Sequence, residues 1–185
     1  KEIASEYKNY LETYEGDISE ISNYTRLGEG AALVLSEIDE SLNIGINELS
    51  EGDAETLIQH KSGLYFESKL FKASTNVVEI LVKYDGELQF NQLLVSDDGR
   101  AILDKRDDSE YYNYVTNCNE AFVNLLIQDS FIEFENGYLE CPTVAKKLID
   151  AITKDQDFNT SILSKFNFIS VEALREISKY PGEIQ

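Results

Sequence analysis

NCNEAFVNLLIQDSFIEFENGYLECPTVAKKLIDAI, residues 117–152, divides into helix, tight hairpin and helix. Asn136-Gly137 is the signal for the hairpin, because a two-residue type I′ turn needs positive φ at both central positions. A turn there sets Phe134 opposite Leu139 and Ile132 opposite Cys141, giving the ribbon one apolar face. Its other face pairs Glu133 with Glu140, a like-charge couple that is tolerable only in water. The flanking segments 117–128 and 142–152 carry apolar residues at helical spacing.

Upstream, residues 64–110 change character. Leu64-Tyr-Phe66, Val77 to Tyr84, Leu88 to Val95 and Ala101 to Leu103 are rich in β-branched and aromatic residues. Asp85-Gly86 and Asp97-Asp98-Gly99 punctuate them, so the segment reads as an antiparallel meander. Asn76–Tyr84 is the ambiguous piece, which is also compatible with a helix carrying Glu79, and strand is the favoured reading. Residues 1–63 read as acidic helices. One spans Lys1 to Tyr14 with Ile3, Tyr7, Tyr10, Leu11 and Tyr14 on a stripe. A second starts at Asp17, with Glu20 completing a capping-box pattern. A third runs over Ala31–Leu42, and a short fourth is capped by Asp53 and carries His60 in its last turn. Asn43–Leu49 is ambiguous, with Ile44, Ile46 and Leu49 compatible with a short extended piece. After residue 152, Thr160–Phe166 and Val171–Lys179 close the chain as two helices, the second capped by Ser170 and stopped by Pro181-Gly182. No internal repeat stands out.

The expected fold class is therefore α+β. Acidic helices over 1–63 lead to a β-meander over 64–110 and a helix–hairpin–helix unit over 111–185, arranged as one compact domain or two small ones. Length and composition agree: 185 residues, 42% hydrophobic and 20 Phe and Tyr residues suffice for a buried core. No apolar run approaches the roughly 20 residues that span a bilayer, and no signal-peptide pattern is visible. The expected compartment is the cytoplasm. Cys118 and Cys141 match no zinc or redox spacing and are read as free thiols, with Cys141 on the inner hairpin face.

Charge is the unusual property. The net charge is −19, and residues 1–60 hold 14 acids against Lys1, Lys8 and Arg26. Such a field repels nucleic acid and anionic lipid and speeds association with basic surfaces. Chemical motifs are weak by comparison. Glu67-Ser-Lys69 with Asp53 upstream has the residue types of a metal-dependent nuclease centre. With 22 Glu and 12 Lys, however, such triplets arise by chance, and Glu6-Tyr-Lys8 is another. Asp97, Asp98, Asp104, Asp107, Asp108 and Glu110 lack calcium-loop spacing. A single histidine leaves no material for a triad. No catalytic residue, cofactor or metal ligand is assigned.

The helix, hairpin and helix of 117–152 resembles the recognition helix and wing of a winged-helix module. DNA-binding versions carry Arg or Lys there, whereas Cys118–Gln128 has none and the hairpin carries Glu133, Glu135 and Glu140. The resemblance therefore implies a protein partner. The function expected is a non-enzymatic acidic binding protein that docks onto a basic protein, as inhibitors, immunity proteins and DNA mimics do, without touching nucleic acid or membrane. Glu12, Glu15, Glu20, Glu37, Asp39 and Glu40 are the expected contact residues. The alternatives are an accessory or chaperone-like winged-helix subunit and, third, a metal-dependent hydrolase.

Overall fold

The computed structural model describes residues 2–3, 23–128, 132, 134, 136–154 and 160–180. The chain forms two compact units, Lys1–Tyr114 and Val115–Gln185. The architecture is mixed helix and strand, as expected, but the strand pairing differs throughout.

In the first unit, β1 (Glu2–Ile3) pairs with β2 (Arg26–Leu27). The chain then runs α1 (Ala31–Ser36), β3 (Leu42–Ile44), α2 (Glu51–Leu57), β4 (Leu64–Phe66), β5 (Phe71–Lys72), α3 (Thr75–Leu81), β6 (Leu88–Leu94), α4 (Asp97–Leu103) and β7 (Tyr112–Tyr114). Every pairing is parallel: β3 with β4, β4 and then β5 along one side of β6, and β7 along its other side. Strands that are neighbours in sequence are thus neighbours in space. A helix crosses back between them, as parallel pairing demands. The expected antiparallel meander is not present.

The hairpin signals misled because their residues serve other ends. Val77, Val78, Ile80 and Leu81 lie in a helix. Ser74 caps it by accepting from the Val77 N–H at 3.3 Å, and this local cap plus the need for a crossover outweighs β-branched propensity. Asp97-Asp98-Gly99 likewise opens α4, with Ser96 accepting from the Gly99 N–H at 3.1 Å.

A strand–helix repeat emerges. Ser50, Ser74, Ser96 and Asn119 each accept from the backbone N–H three residues on. These caps stand 24, 22 and 23 positions apart. Seven residues after each cap comes a buried leucine: Leu57, Leu81, Leu103 and Leu126. Ser50, rather than Asp53, is the cap of α2. Within the first unit, helices α1 to α4 pack side by side in succession, and the inward rows of the strands stack beneath them. Leu42, Leu64 and Leu88 form one row; Ile44, Phe66, Phe90 and Tyr112 form the next. Phe66 and Phe90 stack at 5.1 Å, and Tyr112 meets Phe90 edge-on at 5.2 Å. Burying each such ring contributes about 1.5–3 kcal/mol. No single repeat can bury its own apolar face, so neighbours are mutually required.

The second unit contains β8 (Thr116–Asn117), α5 (Glu120–Gln128), β9 (Gly137–Leu139), α6 (Pro142–Lys154), a 3₁₀ segment Thr160–Lys165, β10 (Phe166–Ile169) and α7 (Val171–Ile177). β9 lies between β8 and β10, parallel to both. The expected hairpin, and with it the winged-helix wing, is overturned. Asn136 does take positive φ, 51°, yet Gly137 belongs to the strand. A Cβ at Gly137 would stand 2.7 Å from the Phe134 ring, 2.9 Å from the Phe166 ring and 3.2 Å from the Lys165 carbonyl oxygen. The glycine makes room for packing; it does not complete a two-residue turn. Phe134 meets Phe122 and Phe166 edge-on in this core.

Several expected boundaries also move. α1 stops at Ser36, and Leu42 begins a strand. Thr160–Phe166 is a 3₁₀ segment running into β10, which the sequence reading missed. Ser170 caps α7 as expected, accepting from the Ala173 N–H at 3.1 Å. Of the two N-terminal helices expected over 1–27, residues 4–22 lie outside the described residues. Glu2–Ile3 and Arg26–Leu27 are strands that satisfy each other's backbone groups. Among the described residues no helix is long and apolar enough to cross a membrane.

Candidate functional site

Parallel pairing in register fixes which side chains leave the sheet of the first unit on the face opposite helices α1–α4. Asn43, Tyr65 and Gln89 are aligned across β3, β4 and β6. Tyr111 stands one position before Tyr112, the partner of Phe90. One step further along the strands come Glu67, Asn91 and Asn113. With strands about 4.8 Å apart, these are two parallel ladders of polar side chains. They line a groove of about 570 Å³, floored by Phe66 and Phe90.

The groove is ordered by hydrogen bonds at one end and open at the other. The Tyr65 hydroxyl donates to Glu87 Oε2 at 3.0 Å, and Gln89 Nε2 donates to Glu87 Oε1 at 2.6 Å. Burial and the bonded carboxylate push the Tyr65 phenol up. Tyr65 can fold back this way because position 63 is glycine; a Cβ there would lie 2.5 Å from its hydroxyl oxygen. Glu67, Asn91, Asn113 and Tyr111 are exposed. Among the described residues, no lysine, arginine or histidine lines the groove.

A second network holds the far edge of the face. Arg106 gives Nε to Asp108 Oδ1 and Nη2 to Asp108 Oδ2, both at 2.8 Å. Its Nη1 reaches the Tyr84 carbonyl at 2.5 Å, and Nη2 the Gly86 carbonyl at 2.9 Å. Asp108 also accepts from the Tyr112 hydroxyl at 2.5 Å and the Leu88 N–H at 2.9 Å. Burial opposes ionisation of Asp108, but the bonds from Arg106, Tyr112 and Leu88 outweigh it and hold the carboxyl down at about 2. The network ties the connection before β7 to the start of β6, and so sets Asn113 beside Asn91. Asp108 is thereby a structural residue, not a member of an acidic metal loop.

Charge is unevenly placed around this sheet. Because the strands are parallel, the connections 37–41, 58–63, 82–87 and 104–111 all enter the sheet at one edge. Exposed Glu37, Asp39 and Glu40 lie in the first of them. Asp85, Glu87, Asp107 and Glu110 add to that edge against Lys61, Lys83 and Lys105. At the opposite edge, two acids, Glu48 and Glu67, and two bases, Lys69 and Lys72, are equal in number, although Glu67 forms no ion pair among the described residues. Three of the expected contact residues, Glu37, Asp39 and Glu40, therefore stand together on the acidic edge. Glu12, Glu15 and Glu20 lie outside the described residues.

The chemical candidates of the sequence take up the following places. Glu67 faces the groove, Ser68 is buried and Lys69 is exposed. Asp53 is engaged with the Ser50 hydroxyl at 2.6 Å. No group of three or more His, Cys, Asp or Glu residues suited to a metal ion occurs among the described residues. His60 lies beyond α2 rather than in its last turn, and is buried at 4% exposure. Burial lowers its pKa, against the nearby carbonyls of Glu40, Ser36 and Leu35 and the charge of Asp39. It is a buried group beyond the helix end, not a helix cap. Both cysteines are free. Cys118 is buried, which pushes its thiol up to about 12. Cys141 is exposed immediately before α6 rather than on an inner hairpin face, because no hairpin exists.

The groove residues are not legible in the sequence alone, because their outward direction depends on strand register. A signal existed in the alternation Leu64-Tyr65-Phe66-Glu67 and Leu88-Gln89-Phe90-Asn91. Compared with known proteins, the chain matches no family model, no curated protein sequence and no solved structure.

Proposed function

We propose that this is a non-enzymatic binding protein, a strand–helix repeat scaffold that docks onto a basic protein surface. The observation that carries the reading is the acidic edge, where Glu37, Asp39 and Glu40 stand beside a polar groove that no basic residue lines among the described residues. Parallel repeats suit such a role, since each adds one row of outward side chains to a continuous face. Nucleases and other nucleic-acid-binding proteins present basic surfaces shaped for phosphates, and carboxylates spaced along an edge complement them. The proposed partner is of that class, and the protein would inhibit or neutralise it by occupying its phosphate-binding surface.

The test is capture from a lysate of the source cell, washed at low and then high salt, with wild type and a Glu37→Lys/Asp39→Lys/Glu40→Lys variant. A basic protein held by wild type, released by salt and not held by the variant is the expected result. Capture unaffected by salt and by charge reversal would overturn the reading. That outcome would favour an accessory subunit docking through apolar surface, for which Val171 and Leu174, 60% and 52% exposed on α7, are the supporting observation.

A further inference from the structure

We propose that the groove on the sheet face opposite helices α1–α4 of the first unit receives an arginine side chain projecting from an extended segment of the basic partner. This rests on the binding reading above and assigns the contact that gives it specificity.

The charge argument comes first. Glu67 is the charged residue among those lining the groove, and it forms no ion pair among the described residues. Glu87 adjoins them, with its two oxygens held by Tyr65 and Gln89. Both of those donors are neutral, so neither carboxylate has its charge matched. A cation entering the groove meets two negative groups and, among the described residues, no competing base. The shape argument selects arginine over lysine. The groove walls carry amides at Asn43, Gln89, Asn91 and Asn113 and phenol rings at Tyr65 and Tyr111. A guanidinium is planar, donates five N–H bonds in a fixed fork and stacks on aromatic rings, whereas an ammonium is a compact, strongly hydrated point charge. Asn43, Asn91 and Asn113 make no side-chain hydrogen bond among the described residues, so their carbonyl oxygens are available as acceptors. Size supplies the last element. About 570 Å³ exceeds one side chain and accommodates the flanking backbone of a short extended segment.

Glu87 already sits in the position set by Tyr65 and Gln89, so less ordering is required when the cation arrives. Gly63 belongs to the same device, because it permits the Tyr65 ring to fold toward Glu87.

The experiment uses the full chain and three synthetic peptides of one glycine–serine sequence, carrying at the centre arginine, lysine or the uncharged isostere citrulline. Side-chain amide NMR signals of Asn43, Gln89, Asn91 and Asn113 report on the groove. The arginine peptide is expected to shift them saturably, the lysine peptide more weakly and citrulline hardly at all. Glu67→Gln should weaken the arginine peptide roughly tenfold, the loss of about one charge-assisted hydrogen bond. Glu67 is exposed, so this variant folds, and Glu37→Lys should alter peptide binding much less. No shift with the arginine peptide, or equal shifts with citrulline, would overturn the proposal. If a salt-released basic partner is still captured with unchanged affinity by Glu67→Gln, the groove assignment fails while the acidic-edge reading stands.

Discussion

Removing Asp108 tests the network on which the geometry of the sheet face depends. Asp108 accepts four hydrogen bonds, two from Arg106, one from Tyr112 and one from the Leu88 N–H. The Arg106 and Asp108 side chains are only 12% and 15% exposed. Asp108→Ala leaves a guanidinium with no anion and strands a backbone N–H, a perturbation that costs about 3–5 kcal/mol when wholly buried. Partial solvent access here lowers the expected loss to about 2–3 kcal/mol. Urea unfolding at neutral pH measures it through the midpoint at unchanged slope. Asp108→Asn should lie between wild type and Asp108→Ala. Acid adds an independent check. The folded carboxyl is held at about 2, below its ordinary 3.8, so the unfolded chain takes up the proton first as pH falls. The stabilisation is complete above the ordinary carboxylate range and is lost between about pH 4 and pH 2. Wild type should show this loss, and Asp108→Asn should lack that component. A change below about 0.5 kcal/mol for Asp108→Ala, the range of an ordinary surface substitution, would refute the reasoning.

Two further outcomes follow from local geometry. Gly137→Ala places a methyl within 3 Å of the Phe134 and Phe166 rings, and should destabilise by about 1–3 kcal/mol through overpacking. Thermal unfolding of the variant checks this, and an unchanged midpoint would restore a role in turn geometry alone. Of the two thiols, Cys141 should react rapidly with a disulfide reagent and Cys118 only on unfolding. The Thr143 hydroxyl and the N–H groups of Val144 and Thr143 lower the exposed Cys141 thiol, while burial raises Cys118. Fast labelling that survives Cys141→Ser would contradict the assignment.

Local sequence fixed where many of the elements lie. Leu64–Phe66, Leu88–Leu94, Glu120–Gln128 and Pro142–Lys154 are strands and helices where periodicity puts them. The capping serine at 170 was legible too, because an Ncap hydroxyl bonds within three residues. The acidic bias of the N-terminal third was legible as well, since composition needs no partner to be read.

Strand direction required the tertiary structure. A glycine after Asn136 or Asp85 is compatible with a hairpin, and also with a strand or turn where a ring packs over it, as Phe134 does at Gly137 and Tyr84 at Gly86. The two cases are identical in sequence and differ only in what lies above the Cα. The Val77–Leu81 run took helix over strand because a parallel sheet needs a crossover there, a constraint set by strands on either side. The repeat escaped notice for a related reason: the polar caps and the leucine seven residues later are few, and the connections between them vary in length. The groove is the extreme case. Asn43, Tyr65, Gln89 and Asn113 lie some twenty residues apart, and only parallel register, one hydrogen-bonded strand against the next, brings them onto one face.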